Sequence, residues 1–220
     1  MLNKLIVPYD QQRFDFAGAI SAVTGVPDLA QWHHYHAPAE AEEAPGFGDQ
    51  ASAMHQKLYG VEEISSLYRE FVLTVITELV GDDVRYQHVP NWRIQLPGRH
   101  GVGSYHRDRS GGHNPCEFTF WVPLADVTAE NSLWVESSEG AEDFRPHPMR
   151  YGQMLAFDSA NLMHGNVRNA SDRTRVSFDF RVIPASVFHD GLATPHHTGI
   201  DGPIQWHSSR PAERSGGATT

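Results

Sequence analysis

Thr174-Arg175-Val176-Ser177-Phe178-Asp179-Phe180-Arg181-Val182 alternates without a break. Arg175, Ser177, Asp179 and Arg181 take one face and Val176, Phe178, Phe180 and Val182 the other, which is the period of a β-strand. One face belongs on a core. The other carries two cations, an anion and a hydroxyl, and it faces either solvent or the polar inside of a barrel. The residues upstream separate these alternatives. Eleven positions before Arg175 stands His164, and earlier still comes Ser104-Tyr105-His106-Arg107-Asp108. In an extended segment His106 and Asp108 project to the same side. Two imidazoles and one carboxylate bind iron while leaving three positions open. Arg175, with the Ser177 hydroxyl beside it, is a fixed cation suited to the far carboxylate of a dicarboxylate. A solvated face has no need of that arrangement.

The tripeptide alone is weak evidence. With 14 His and 27 Asp+Glu in 220 residues, chance produces roughly 1.7 His-x-Asp/Glu matches, so context carries the weight. His106 is the only histidine of the chain with an acidic residue two places on.

These residues resemble the iron(II)/2-oxoglutarate-dependent oxygenases, in particular the phytanoyl-CoA-hydroxylase-like branch. The likeness lies in His106-x-Asp108, His164-Gly165 and Arg175-x-Ser177, with Phe120-Trp121-Val122-Pro123-Leu124-Ala125-Asp126 and Ala129-Glu130-Asn131-Ser132-Leu133-Trp134-Val135 between them. It covers about residues 85 to 182. The chain departs from the branch at Glu136-Ser137-Ser138-Glu139-Gly140, where Pro-Gly-Ser-His is usual. Size and the Tyr-His-Arg-Asp context are most similar to the small oxygenases of aminoglycoside antibiotic pathways, the streptomycin and hygromycin B types, which include orthoester formation.

The resemblance implies a mainly β fold, a double-stranded β-helix (jelly roll, cupin-like) with helices packed outside. It implies Fe(II) on His106, Asp108 and His164, which are thereby the catalytic set, and 2-oxoglutarate and O2 as cosubstrates. The oxo acid would be held by Arg175 and Ser177, with Gln95 and Thr119 as further contacts. Arg93, His113 and Trp134 are candidates for binding substrate. The reaction implied couples decarboxylation of 2-oxoglutarate to C–H oxidation, as hydroxylation or closure of a ring or orthoester. Retention of Asp108 separates the chain from related halogenases, which carry a small residue there. The alternative is a cupin-like barrel that binds metal or sugar without redox chemistry.

A net charge of −10, with only 17 Lys+Arg, supplies no basic face for nucleic acid. It favours a cationic small molecule such as an amino sugar, met by carboxylates such as Asp126, Glu130, Glu136 and Glu139 at the barrel mouth. No apolar run is long enough for a signal peptide or a membrane span, so a cytoplasmic protein is expected. A single cysteine, Cys116, excludes an internal disulfide; its alternation with Phe118 and Phe120 marks it as core filling.

The chain reads as one domain over 1–209: a helical part over about 1–83, a barrel over about 84–184, and a flexible Ser/Gly/Thr-rich tail over 210–220. A first helix is expected over 10–24. Ile64, Leu67, Tyr68, Phe71, Val72, Val75, Ile76 and Leu79 mark a second, amphipathic helix that ends at Gly81. Strands are expected at 84–88, 91–96, 103–107, 116–122, 132–136, 153–157, 164–168 and 174–182. His33, His34, His36, His196 and His197 lack a third ligand at fixed spacing and read as polar loops.

Overall fold

In the computed structural model, residues 4–36, 53–101, 104–189 and 204–210 are described. The strands are β1 (Lys4–Pro8), β2 (Val84–Gln87), β3 (Asn91–Gln95), β4 (Phe118–Pro123), β5 (Leu133–Val135), β6 (Arg145–Pro146), β7 (Gln153–Phe157), β8 (His164–Asn166), β9 (Arg175–Pro184) and β10 (Trp206–Ser208). They form two antiparallel sheets. The larger runs β1-β7-β4-β9-β2-β10, with β3 also on β9; the smaller runs β6-β5-β8.

Strand β9 organises the larger sheet. One edge pairs with β4, and the other takes β3 along its first half and β2 along its end. Its alternation holds throughout. Phe178 and Phe180 join Trp92, Ile94, Phe120 and Val122 in a core that extends through Met154 and Ala156 to the helices. On the reverse face, Trp121, Leu155 and Phe157 meet Leu133 and Val135 of the smaller sheet, so the space between the sheets is apolar at one end.

The helices cover the outer face. Helix α1 (Phe16–Thr24) begins at Asp15, whose carboxylate accepts from the Gly18 N–H at 2.9 Å, and stops at Gly25 with φ 75°. A side-chain oxygen on an otherwise orphaned helical N–H and a left-handed glycine are the usual start and stop. Helix α2 (Ala53–Lys57) is short. Helix α3 (Glu62–Phe71) passes through a five-residue π-turn, Val72–Ile76, into α4 (Thr77–Val80), and Gly81 ends the run with φ 70°. The extra residue of the π-turn keeps Phe71, Val72 and Ile76 all buried and leaves Leu73 outside.

Two expectations need correction. The first helix starts at Phe16 and not at residue 10, because the Asp10 side chain caps the N–H groups of Gln12 and Arg13 in a turn. The N-terminal part is not purely helical either: β1 pairs with β7, Lys4 opposite Phe157 and Pro8 opposite Gln153. Its partner lies about 150 residues away, a separation that local pattern cannot reveal. β1 and β10, both outside 84–184, are the sheet's edges. Residues 211–220 of the expected tail lie outside the described residues; Arg210 pairs with Asp83 at 2.7 Å. His196 and His197 also lie outside them. His33, read as a loop residue, falls instead in a 3-10 turn, Leu29–His34, where its Nδ1 contacts Thr174 Oγ1; His36 Nε2, beyond the turn, contacts the Thr24 carbonyl. Among the described residues no helix is long and apolar enough to cross a membrane.

Phe71 joins helices to sheet: its ring lies 5.2 Å from Phe14, 5.3 Å from Tyr9, 5.4 Å from Phe16 and 6.4 Å from Phe180, all edge-on. Phe71→Ala is expected to cost about 3–5 kcal/mol of stability with little effect on the polar face of β9. Urea denaturation measures it, and a loss below about 1 kcal/mol would mean that the core closes over the gap.

Candidate metal centre

His106 and His164 are directly opposed. The His106 N–H donates to the His164 carbonyl at 3.0 Å, and the His164 N–H returns to the His106 carbonyl at 2.9 Å. This doubly bonded antiparallel pair places both side chains on one face, with ring centroids 4.6 Å apart. Arg107 is extended (φ −107°, ψ 135°) and so returns Asp108 to the same side, where a 3-10 turn, Asp108–Gly111, begins. The Asp108 N–H is tied to the Ser159 carbonyl at 2.9 Å. Gly165 lets the two segments close, since a Cβ there would stand 3.0 Å from the Tyr105 ring and 3.1 Å from the Tyr105 Cα.

The donor atoms converge. Asp108 Oδ1 lies 3.4 Å from His106 Nε2 and 3.6 Å from His164 Nε2, and one donor from each residue falls within 4.8 Å of the others. Each Nδ1 faces a backbone carbonyl, Ser104 at 2.8 Å for His106 and Leu162 at 3.0 Å for His164. A carbonyl only accepts, so Nδ1 carries the proton and the Nε2 lone pair faces inward. Two such lone pairs and a carboxylate oxygen repel one another unless a cation stands among them, so the donor set fits a divalent transition metal. Without one, contact with Asp108 raises the His106 imidazole, while burial lowers His164. Burial alone would raise the Asp108 carboxyl, but Arg181, His106 and His164 hold it well below the usual range.

Behind this set, Arg93, Thr119, Trp121, Asn166, Arg175, Asp179 and Arg181 line one cavity with His106 and His164, closed by Leu133 and Phe157. Arg175 is buried; its Nη1 donates to Asn166 Oδ1 at 2.6 Å and to the Asn131 carbonyl at 3.2 Å, and its guanidinium lies over Trp121. Ser177 Oγ is buried without a hydrogen-bond partner. Gln95 stands opposite Arg175 in the β3–β9 register and Arg93 opposite Ser177. The Gln95 amide donates to the Arg99 and Val167 carbonyls, while its Oε1 is buried and unpartnered. Thr119 Oγ1 meets Ser159 Oγ at 2.7 Å.

Three residues are placed differently from the rest. Arg93 reaches the cavity but donates to Asp179 Oδ1 at 2.8 Å. His113 is buried away from the lining, its Nδ1 2.7 Å from Glu117 Oε2. Trp134 points away from the cavity-lining Leu133, and its indole N–H donates to the Ala129 carbonyl. Glu136, read as a carboxylate of the mouth, is wholly enclosed. Burial would raise it, but the N–H groups of Met163 and Glu142 and the Arg107 guanidinium hold it at about 2. Glu139 pairs with Arg109. Asn166, Asp179 and Arg181 had no assigned role in the sequence, although period two from His164 and Arg175 puts all three on the cavity face.

The sheets and the His–carboxylate–His set define the class: a double-stranded β-helix with a candidate metal centre. The chain belongs to the family of the streptomycin biosynthesis protein StrG of Streptomyces griseus, with 36% identity over 184 residues, spanning 82% of this chain and 84% of StrG. No sequence-family profile matches it. Among solved structures its fold is similar to the non-heme alpha-ketoglutarate-dependent carbocyclase SnoK of nogalamycin biosynthesis (TM-score 0.55, 16% identity, 94% of this chain and 91% of SnoK). It is also similar to the alpha-ketoglutarate-dependent epimerase SnoN (TM-score 0.51, 17% identity, 92% and 88%).

Gly165→Ala is expected to weaken metal binding roughly tenfold or more, because Tyr105, its ring tilted against Phe144 at 4.2 Å, cannot move aside without carrying His106 with it. Co(II) titration beside a thermal melt reads the effect. Unchanged affinity in a folded variant would show that the pair tolerates a wider spacing.

Proposed function

We propose that the chain is an iron(II)/2-oxoglutarate-dependent oxygenase that oxidises a C–H bond of a small polar natural product, of the aminocyclitol or aminoglycoside class. The observation that carries the reading is that one cavity is lined both by His106 and His164, whose Nε2 atoms converge with Asp108 Oδ1, and by the buried Arg175, with the unpartnered Ser177 hydroxyl two residues on along β9. The relation to StrG, a protein of streptomycin biosynthesis, supports the substrate class.

His106, His164 and Asp108 would hold the iron, with Arg175 and Ser177 receiving the C5 carboxylate of 2-oxoglutarate. Bound iron supplies chelation of the oxo acid and reduction of O2, coupling loss of CO2 to oxidation of the substrate. The protein does the rest. Arg175 gives a charge-assisted contact in a buried setting, where it is worth about 1.5–3 kcal/mol, and its guanidinium carbon lies 5.7 Å from the Trp121 ring centroid. Leu133 and Phe157 keep water from one wall. Three arginines against one carboxylate in the lining suit an anionic cosubstrate. Ammonium groups of an amino sugar therefore belong outside, beyond His106, whose side chain is 46% exposed.

Anaerobic titration of the Fe(II) protein with 2-oxoglutarate tests the reading: a charge-transfer absorption of the chelated oxo acid is expected, and its absence would favour a barrel without redox chemistry. Succinate release should then be stimulated by an amino sugar more than by its N-acetylated counterpart, which retains the shape without the charge.

Arg175→Ala is expected to raise the 2-oxoglutarate requirement by roughly one to two orders of magnitude, the equivalent of losing that contact. Arg173, which lies in a separate surface depression with Asp28 and Tyr151, is the control. A large effect of Arg173→Ala with none from Arg175→Ala would move the carboxylate site.

A further inference from the structure

The Asp108 carboxylate faces two ways. Oδ1 looks toward the histidines, and Oδ2 accepts from Arg181 Nε at 3.2 Å, with Nη2 in ion-pair contact at 3.1 Å. Arg181 is itself held from two other sides: Nη1 lies 3.3 Å from Asp179 Oδ2, and Nε lies 3.9 Å from Glu117 Oε2. Glu117 is fixed in turn by the Asn114 N–H at 2.9 Å and by His113 Nδ1 at 2.7 Å. Asp179 is fixed by Arg93 Nε at 2.8 Å and Asn91 Nδ2 at 2.9 Å. Asp108, Glu117 and Arg181 are all more than nine-tenths buried.

We infer that Arg181 is a positioning residue for the metal centre: by engaging Oδ2 with the Nε–H hydrogen bond and the Nη2 ion-pair contact it restricts Asp108 to a single metal-binding oxygen, Oδ1, and so keeps open a coordination position that a bidentate carboxylate would fill. The inference rests on the metal site proposed above and assigns Arg181 a role exerted through Asp108.

The geometry selects arginine. A guanidinium is planar and permanently charged and presents Nε–H and Nη–H side by side. It can therefore set two nitrogens against one carboxylate oxygen while Nη1 donates to Asp179. An ammonium is a compact charge that can face Oδ2 with one donor, but it cannot span both carboxylates in that plane. Glu117 and Asp179 keep the guanidinium from turning toward Oδ1, the atom the metal needs. A chain of this kind behind a ligand fixes the ligand's orientation, and breaking it commonly costs 10–100-fold in metal affinity.

The unmodified protein provides one arm of the test. Loaded with Co(II) or Zn(II), it should show two imidazole nitrogens and a monodentate carboxylate by X-ray absorption. A bidentate carboxylate, with its short metal–carbon distance, would overturn the inference. Failure of the unmodified protein to bind either ion would instead remove the metal site, and the inference with it.

The second arm is Arg181→Lys, which keeps the charge and loses the fork. It should melt within a few degrees of the parent without metal, bind Co(II) about 10–100-fold more weakly, and show a shifted Co(II) visible spectrum. Parent affinity and spectrum in the folded variant would overturn the role. Arg181→Gln, with two amide donors and no charge, separates geometry from charge: recovery of the parent spectrum supports orientation by hydrogen bonding. A spectrum further from the parent than that of the lysine variant would show that charge alone acts, and would overturn the geometric claim.

Discussion

The mutual hydrogen bonds between the backbones of His106 and His164 are the contact on which the centre depends. Two histidines 58 positions apart become direct neighbours only because each N–H finds the other's carbonyl. Such a pair fixes side-chain direction as well as distance. Once it forms, the extended Arg107 has no alternative but to send Asp108 to the same side, and the Ser159 carbonyl holds that residue's N–H in place. The absence of a side chain at Gly165 is the steric condition for this closure, because the Tyr105 backbone occupies the space a Cβ would need.

Strand β9 then couples this centre to the core. Phe178 and Phe180 lock one face into the aromatic cluster around Phe71 and Tyr68, so the opposite face has little freedom to shift. Arg175, Asp179 and Arg181 consequently stand at fixed intervals along the cavity, with Ser177 buried between the first two. Burying this much charge carries a large desolvation cost, which ion pairing offsets only when geometry is good and the remaining lone pairs are satisfied. Asp179 meets that condition through Arg93, Arg181 and Asn91, and the two arginines hold its carboxyl low against the effect of burial. Ser177 does not meet it. A buried hydroxyl without a partner costs stability, and its place beside Arg175 is where an incoming carboxylate would satisfy it.

Much of this was legible in the chain. The alternation of 174–182 specified both faces of β9, and His106-x-Asp108 with His164 and Arg175 marked the centre, because each signal depends only on period two and on side-chain chemistry. The residues that escaped were of two kinds. β1 and the turn at Asp10 depend on pairing across nearly the whole chain and on a local side-chain cap, neither of which leaves a periodic trace. Trp134 and Glu136 were misdirected by loop position. Trp134 falls on the outer face because Leu133 and Val135 take the inner one, and Glu136 sits just past β5, where the N–H groups of Met163 and Glu142 close over it. Asp179 and Arg181 were visible on the right face, but their partners, Arg93 and Asp108, come from strands and loops that only the folded register brings within reach.

Charge divides between the surface and the interior. The chain as a whole carries −10, whereas the cavity lining sets Arg93, Arg175 and Arg181 against Asp179. Surface charge is screened within about 8–10 Å at physiological ionic strength, while buried charges act at short range through a medium of lower dielectric. The two fields therefore address different molecules. Net charge governs what approaches the protein, and the lining governs what can remain beside the metal. In the proposed reaction the buried Arg175 would receive the dicarboxylate, and a cationic substrate would approach from the rim beyond His106.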